Sequence, residues 1–364
     1  MRNHTNSNST RLPVTPSLQS LLEDDLIEEI MINGFGGVFV FHRQNGMMKT
    51  GVSPSDSELE KLSSFLLGNK KSHGIADVRL EDGSRANIIL SSTGEPSITI
   101  RKFRKKPFSI RDLVAEGTLS SDLAAFLWVC TDGFGLFPAN IVIAGGTAAG
   151  KTTTLNALSS FIPASQRIIT LEDVRELNLW HENWVKLETD DKRDLSMLVK
   201  NSLRMRPDRI ILGDVRGEDA KYLFTAMNTG HRGCFATLHA NSDRETILRL
   251  EGAPMNVPRS LIPLIDLIIV QHRVFYKRSG RLKRRITQVS EVSSIEENVI
   301  ALNELYKWIP GEDRIIRTPL ISAFKERLSS ASGVSIPDIN KEIEKRRNVL
   351  NAALAEQQGI ISAS

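Results

Sequence analysis

The amino-acid sequence predicts an α/β protein in which a mostly parallel, doubly wound sheet follows a smaller N-terminal α+β domain. Five short apolar runs alternate with helical segments in the second part of the chain. That alternation is typical of parallel strands buried on both faces of a sheet. A glycine-rich loop follows the first run. We therefore predict a disordered tail at 1–18, an α+β domain at 19–106 and an α/β domain with a C-terminal helical segment at 107–364.

Composition agrees with two globular domains. The chain has 364 residues, and a domain typically has roughly 100–200. Hydrophobic residues make up 40% and charged residues 25%, which suffices for apolar cores. The 47 basic and 43 acidic residues nearly balance, so they do not indicate a nucleic-acid-binding surface. The two cysteines, Cys130 and Cys234, exclude a four-cysteine zinc site, and we expect buried thiols in a reducing compartment.

The N-terminal residues are rich in Asn, Ser, Thr and Pro. They lack the apolar core of a signal peptide, and their composition predicts disorder. No segment approaches the ~18 apolar residues of a membrane span. The longest candidate, 261–270, is interrupted by Pro263 and Asp266. We therefore predict a cytoplasmic protein.

The first domain is predicted from residue 21 onward. Apolar residues at helical spacing predict a helix there, namely Leu21, Leu22, Leu26, Ile27 and Ile30. The run 38–41 is typical of a strand. Residues 54–67 predict a helix with Ser55 as its N-cap. Three strands are predicted after it, with a turn between the first two, at 76–80, 86–90 and 97–100.

The second domain begins after a basic segment, 101–106, that is typical of a linker. Residues 109–129 are predicted to be mostly helical. The five apolar runs predict strands at 141–144, 167–171, 209–212, 234–237 and 267–270. Ser279 and Gly280 lie between basic flanks, which predicts a β-hairpin over 274–292, and 342–357 is predicted to be a polar helix.

The loop after the first of these strands carries the clearest chemical signal. It reads Gly145-Gly146-Thr147-Ala148-Ala149-Gly150-Lys151-Thr152, which fits the pattern GxxxxGK followed by Ser or Thr. A helix is predicted directly after it, from Thr153. Backbone N–H groups in such a loop and the helix N-terminus attract phosphate. Lys151 is expected to contact the β- and γ-phosphates of ATP, and the Thr152 hydroxyl to bind Mg²⁺. The structural alternative is a glycine-rich turn with a solvated lysine.

Polar side chains follow three more of the predicted strands. Asp214 follows the 209–212 run, Glu172 and Asp173 follow 168–171 with Glu176 close behind, and His239 follows 234–237. The carboxyl ends of parallel strands meet at one edge of a sheet, where ligands bind. At that edge Asp214 could hold Mg²⁺ through a water. A lone histidine is more often a surface or core residue, and we keep that interpretation for His231.

Four segments resemble the type II/type IV secretion ATPase superfamily, and are similar above all to its pilus, tight-adherence and archaellum assembly members. They are GGTAAGKTT, ITLEDVREL, RPDRIILGDVRGEDA and TGHRGCFATLHANS. In order and spacing they match the family's Walker A box, Asp box, Walker B box and His box. The segments EIMINGFGGVFV, DGSRANIIL and SITIRKFRKKP resemble its N-terminal domain, so the resemblance covers about residues 24–300.

The resemblance implies a RecA-like P-loop NTPase domain behind the N-terminal domain, a homo-hexameric ring, and ATP hydrolysis with Mg²⁺. It implies that Glu172 is the general base, Asp214 a Mg²⁺ ligand and His239 a nucleotide sensor. Arg85 and Arg101 match the N-terminal arginines that act on the γ-phosphate in the family. The resemblance also implies peripheral membrane association, a polytopic platform protein in the cytoplasmic membrane as partner, and a motor that powers pilus or archaellum assembly or protein secretion.

The sequence departs from the family pattern in three respects. Asp214 stands where the Walker B box usually has Glu, and it is one methylene shorter. Both Glu172 and Asp214 stay candidates for activating the attacking water, with Glu172 favoured. Ala148 and Ala149 stand where Gly-Ser is common, and they still offer backbone N–H groups. The metal-binding cysteines of one bacterial secretion branch are absent, which favours the pilus or archaellum-like branch.

Two other functions stay open on the sequence alone. A nucleic-acid translocase also uses RecA-like rings, but the chain has no stripe of basic and aromatic residues, and we expect no specific nucleic acid. A non-hydrolysing nucleotide switch is disfavoured by the intact Lys151, Glu172 and Asp214. One basic run either contacts anionic lipid or forms solvated strand faces, and it comprises Arg273, Lys277, Arg278, Arg281, Lys283, Arg284 and Arg285.

Overall fold

In the computed structural model, the residues described are 12–68, 74–103, 106–190, 192–276, 280–296 and 299–357. They form two compact units. The first unit extends to Lys106 and also includes Phe275–Lys283, and the second comprises Pro107–Val274 and the chain from Arg284 onward. Across these described ranges, no helix has the length and apolar content needed to cross a membrane.

The first unit is a six-stranded antiparallel sheet with two helices. Its strands lie in the order β3-β2-β1-β6-β5-β4. One face is buried by alternating residues such as Ile30 and Ile32 of the central strand, which pack with Leu59 and Leu62 of the second helix. The elements are α1 (Pro16–Glu23), β1 (Ile27–Asn33), β2 (Val38–His42), β3 (Gly46–Lys49), α2 (Asp56–Leu67), β4 (Ile75–Arg79), β5 (Arg85–Ile89) and β6 (Ser97–Arg101).

At the start of this unit, the structure differs from two of the predictions. The helix predicted through Ile30 ends at Glu23, and Ile27–Asn33 is a strand because it pairs with β2 on one side and β6 on the other. The tail predicted at 1–18 is too long, since α1 begins at Pro16 and Leu18 is buried in the core. Burial of one or two apolar side chains stabilises a short helix that average composition does not indicate. Residues 1–11 lie outside the described ranges.

The second unit is built on a nine-stranded sheet flanked by helices on both faces. Its elements are α3 (Ile110–Ala115), α4 (Ser121–Asp132), β7 (Ile141–Gly145), α5 (Lys151–Ser159), β8 (Ile168–Glu172), β9 (Trp184–Glu188), α6 (Leu195–Ser202), β10 (Arg209–Val215), α7 (Asp219–Asn228), β11 (Phe235–Leu238), α8 (Asp243–Glu251), β12 (Leu267–Tyr276), β13 (Arg281–Glu296), β14 (Val299–Ile309), β15 (Arg314–Arg317), α9 (Ala323–Ser332) and α10 (Ile336–Gln357). The five predicted strands are all present. β12 and β13, the strands on either side of the predicted hairpin turn, are neighbours in the sheet, whereas Ser279 of that turn lies outside the described residues.

Strand order in this sheet is β15-β14-β13-β12-β7-β11-β10-β8-β9. Six neighbouring strands, β12 through β9 in that order, pair in parallel. The mostly parallel sheet is therefore confirmed. The sequence did not predict the antiparallel extension, in which β13 pairs with β14 and β14 with β15.

Alternate residues of each parallel strand enter two separate cores. Ile141 and Ile143 of β7 pack on one face with α4 and α10, whereas Val142 and Ala144 pack on the other with α6 and α7. Both faces being covered explains why these strands are continuous apolar runs. Cys130 and Cys234 are buried free thiols, as the sequence predicts.

Candidate active site

The glycine-rich loop joins the end of β7 to the start of α5. Its backbone turns through left-handed conformations at Ala148 (φ 58°) and Gly150 (φ 94°). Glycine is required at Gly145, because a Cβ there would lie 2.3 Å from the backbone oxygen of Gln271 on the neighbouring strand β12. At Gly150 a Cβ would lie 2.9 Å from the Gln271 amide nitrogen. Both the loop conformation and its close approach to β12 therefore depend on glycine.

Lys151 folds back over this loop. Its ammonium donates to the carbonyl oxygens of Gly145 at 3.0 Å and Gly146 at 3.2 Å, and the residue is only 7% exposed. A lysine held in this way differs from the solvated lysine of the structural alternative. Its charge lies within the loop, where positive potential suits a phosphate group.

The ends of three parallel strands converge at Lys151. His239, which follows β11, has its Nε2 atom 3.5 Å from the Lys151 ammonium and 3.4 Å from the Asp214 carboxylate on β10. Burial, reinforced by the Lys151 charge, lowers the pKa of His239 despite the opposing effect of Asp214. Asp214 also forms an ion pair with Arg216 at 2.8 Å.

Glu172 ends β8 and is almost completely buried, at 3% exposed. Its carboxylate accepts the backbone N–H groups of Glu176 at 2.8 Å and Leu177 at 3.0 Å. It packs on Gly213, where a Cβ would come 2.9 Å from the Glu172 Cγ atom. Burial raises its pKa from 4.5 to about 7, against these two hydrogen bonds. A carboxylate with this pKa is suited to proton transfer near neutral pH.

Thr152, the first residue after Lys151, contacts a different acid. Its hydroxyl donates a hydrogen bond to the Glu176 carboxylate at 3.1 Å. The sequence places Glu176 near the acidic pair but assigns it no role. Its only signal was its position four residues after Glu172, in the loop that leaves β8.

The strand β12 and its successor β13 supply two further contacts that sequence reasoning missed. The Thr154 hydroxyl donates to the Gln271 side chain at 2.7 Å, which ties α5 to β12. The Arg284 guanidinium donates to the Ala148 carbonyl at 3.1 Å, so a residue of the basic run contacts the glycine-rich loop.

Arg285, the next residue, shows that the interpretation of the basic run as solvated throughout is wrong. Arg285 is 2% exposed and forms a two-pronged ion pair with Asp313, at 2.6 and 2.8 Å. It also donates to the Glu116 carbonyl. Lys277 and Arg278 lie outside the described residues. The run therefore contains a buried structural arginine as well as exposed charges.

Arg85 and Arg101 belong to the first unit. They are cross-strand partners on β5 and β6, and Arg79 of β4 stands next to Arg85 in the same row. Glu29 of β1 is the neighbour of Arg101 on the other side, 3.9 Å away between side-chain atoms. Two sequence-predicted arginines thus form one basic row across the sheet.

The donor set of the second unit fits a magnesium–nucleotide complex. Thr152, Glu176 and Asp214 offer the hydroxyl and carboxylate oxygens that Mg²⁺ prefers. Within the described ranges there is no cluster of three His, Cys, Asp or Glu side chains that could hold a metal by itself.

Comparison with known proteins decides the family. Residues 14–300 match the family described as type II/IV secretion system protein. The chain belongs to this family. Relatives of this secretion-family protein include an uncharacterised protein of Methanocaldococcus jannaschii, 34% identical over 94% of the chain and 64% of the relative. The conjugal transfer protein TrbB of Rhizobium radiobacter is 30% identical over 76% of the chain and 87% of its own length.

Solved structures establish the fold of this secretion-family protein. The pilus retraction motor PilT aligns with a TM-score of 0.57 at 20% identity, over 74% of the chain and 81% of PilT. The ATPase DotB of Legionella pneumophila aligns with a TM-score of 0.55 at 19% identity, over 96% of the chain and 94% of DotB. The prediction of a RecA-like domain that follows a smaller N-terminal domain in the chain is thereby confirmed. The chain spans 64% and 33% of two M. jannaschii relatives.

Proposed function

We propose that this secretion-family protein is a magnesium-dependent ATP hydrolase whose turnover drives assembly of a surface filament or secretion across a membrane. The observation that carries the proposal is the convergence of Lys151, His239 and Asp214 at the carboxyl edge of the parallel sheet. Asp214 lies on β10, His239 follows β11, and Lys151 begins α5 directly after the loop that leaves β7. Such convergence at a glycine-rich loop is what phosphoryl transfer requires, because its catalysis consists of positioning and charge stabilisation.

Each residue has a distinct part in this proposal. The backbone N–H groups of the loop from Gly145 to Thr153 surround the β- and γ-phosphates of ATP, and Lys151 turns from its carbonyl partners to the phosphate oxygens. Thr152 and Asp214 hold Mg²⁺, with Glu176 hydrogen-bonded behind Thr152. When bound, Mg²⁺ supplies neutralisation of the phosphate charge.

Glu172 is the proposed base. Its pKa near 7 allows it to take a proton from the attacking water at cytoplasmic pH, and it is held in place by two backbone N–H groups. Asp214 has a shorter side chain and an ion pair with Arg216. We therefore assign water activation to Glu172 and metal binding to Asp214. His239, next to Lys151, senses whether a γ-phosphate is bound.

The motor itself is proposed as a homo-hexamer on the cytoplasmic side of a membrane. In it Arg85 and Arg101 stabilise charge on the γ-phosphate, and a polytopic membrane platform protein receives the movement. The conjugal transfer and pilus retraction proteins named above support a secretion or pilus role. The absence of a basic-aromatic stripe in the sequence disfavours nucleic acid as the moved substrate.

The test is phosphate release from ATP by the purified chain with and without Mg²⁺. We expect magnesium-dependent turnover, stimulated by anionic lipid vesicles and not by DNA. Lys151→Ala is expected to reduce turnover by about 10²–10³-fold, the range seen when one transition-state charge donor is removed. Its circular dichroism spectrum is expected to match that of the unmodified chain. Near-normal turnover by a folded Lys151→Ala protein would refute the phosphate-loop assignment.

A further inference from the structure

A second polar site lies away from the phosphate loop, where β15 leads into α9. It is a cavity of about 560 Å³. Its lining comprises Arg317, Thr318, Pro319, Leu320, Ile321, Ser322, Lys325 and Asn340. All of these residues follow residue 300, where the match to the secretion family ends. The cavity is therefore formed by a part of the chain that the family pattern does not include.

Two cations line this cavity, and neither forms an ion pair with a carboxylate of the described residues. Lys325 is 4% exposed, and its ammonium has one hydrogen-bond acceptor among the described residues, the Asn340 side chain at 2.7 Å. Arg317 is exposed, and its guanidinium makes no ion pair or hydrogen bond with any residue that the structure describes. The Lys325 ammonium also lies 5.8 Å from the centroid of the Phe126 ring, and with three donors it can still form further hydrogen bonds.

The buried carboxylate at the start of α9 already has hydrogen-bond partners. Glu291 accepts the Ser322 hydroxyl and the backbone N–H groups of Ala323 and Phe324, so it caps the start of α9. Burial and then the Arg317 charge lower the pKa of Lys325, and they outweigh the opposing effects of Cys130, Glu291 and Asp122. Both effects penalise the charged lysine, and an anion between Lys325 and Arg317 would relieve them.

The rim of the cavity is apolar. Leu320 is 45% exposed and Ile321 is 75% exposed. A small inorganic anion would leave these side chains in water, whereas a polypeptide could cover them while it placed a carboxylate inside. Exposed apolar side chains that lie together at the edge of a cavity are a feature of protein-binding surfaces.

We propose that the cavity between β15 and α9 is a docking site for a partner protein, and that it receives a Glu or Asp side chain flanked by aliphatic residues. The carboxylate lies between Arg317 and Lys325 and accepts hydrogen bonds from the guanidinium and the ammonium. The aliphatic neighbours cover Leu320 and Ile321. This surface is separate from the ATP site, and it stands whether or not the proposed hydrolysis is observed.

The experiment follows the methyl signal of Ile321 in the full chain, labelled at isoleucine δ1-methyl groups and assigned through Ile321→Val. The probe is the peptide acetyl-Leu-Glu-Leu-amide. We expect a saturable shift of this methyl signal. Arg317→Ala is expected to raise the half-saturating concentration about tenfold, as for loss of a hydrogen bond to a charged group. The control Arg314→Ala changes an exposed arginine on the same strand that does not line the cavity, and is expected to bind normally.

Three comparisons can overturn the proposal. Acetyl-Leu-Gln-Leu-amide shifting the signal at the same concentration would show that no carboxylate is recognised. Glutarate saturating as readily as the peptide would identify a small-anion pocket, and vesicles of phosphatidylglycerol acting where the peptide does not would identify a lipid site. Lys325→Met is expected to abolish peptide binding. Because Lys325 is buried and this variant could fail to fold, the exposed Arg317 variant decides the outcome, and its ATP turnover is expected to be unchanged.

Discussion

The Thr152 hydroxyl donates a hydrogen bond to the Glu176 carboxylate, with 3.1 Å between the two oxygens. Thr152 is the proposed magnesium ligand, so Glu176 would act on Mg²⁺ through the Thr152 hydroxyl. We predict that Glu176→Gln raises the Mg²⁺ concentration needed for half-maximal ATP turnover by about tenfold or more, as is typical when a group behind a metal ligand is changed. A magnesium titration at saturating ATP measures this.

Glu182 offers a matched control for that experiment. It lies in the same segment between β8 and β9, and its side chain is exposed. Glu182→Gln is expected to leave the magnesium requirement unchanged. An equal magnesium dependence in the Glu176 variant and the unmodified chain would show that Glu176 acts only on the fold of the loop.

Replacement of the buried base should separate binding from chemistry. We predict that Glu172→Gln binds ATP normally but hydrolyses it about 10²–10⁴-fold more slowly, the usual contribution of a general base. The amide keeps the shape of the side chain and cannot accept the proton. For the unmodified chain, kcat/KM is expected to rise with pH through an apparent pKa of about 7, which reports the free Glu172. Parallel loss of ATP binding would instead make Glu172 a structural group.

The same carboxyl makes stability depend on pH. Its pKa is about 7 when folded against an ordinary 4.5, so between these values the folded chain holds the extra proton. The contribution of this group to the free energy of unfolding is fully present below pH 4.5. It is lost as pH rises through 7, and the loss amounts to at most about 3 kcal/mol. Glu172→Gln is predicted to remove this slope. Urea unfolding should show that the free energy of unfolding of the variant, compared with that of the unmodified chain, is higher at pH 8 than at pH 5.

Arg284 is predicted to hold the phosphate loop in its binding conformation. Its hydrogen bond to the Ala148 carbonyl fixes a residue with a left-handed backbone, and its side chain lies against Gly150. Arg284→Ala is expected to weaken ATP binding about tenfold, consistent with one hydrogen bond from a charged group. Isothermal titration with a non-hydrolysable ATP analogue measures the effect. Arg281→Ala, an exposed arginine at the start of the same strand, is the control and is expected to bind normally.

The arginine row of the first unit is predicted to act in turnover and not in loop folding. Arg85→Ala and Arg101→Ala are each expected to lower kcat by roughly 10³-fold or more, as for arginines that stabilise phosphoryl-transfer charge. ATP binding should change little. Specific activity of the unmodified chain should rise with protein concentration as rings form. Lys61→Ala removes an exposed charge from α2 of the same unit and is the control; the same loss of kcat in this control would exclude a specific role for the two arginines.

The positions of the candidate-site residues in the second unit were largely predictable, because their signals are local. A buried parallel strand must be an apolar run, and a phosphate loop needs its glycines and lysine within eight consecutive positions. Hence β7, the loop through Thr152, and the ends of β8, β10 and β11 follow from the printed sequence. The same locality misled at Ile27 and Ile30, where apolar spacing fits a helix but strand pairing with β2 and β6 makes a strand.

Only the tertiary structure decided which distant residues meet the loop. Strand order places β12 beside β7, so Gln271 and Arg284 reach residues more than a hundred positions earlier, and no periodicity encodes that neighbour. It also decided the burial of Glu172 and of Arg285, because desolvation depends on what packs around a side chain. The sequence by itself determined the kinds of groups available and the strands that carry them. Their distances, exposure and pKa shifts arise from long-range packing. They cannot be derived from a single segment, because the free energy of that packing depends on contacts across the whole sheet.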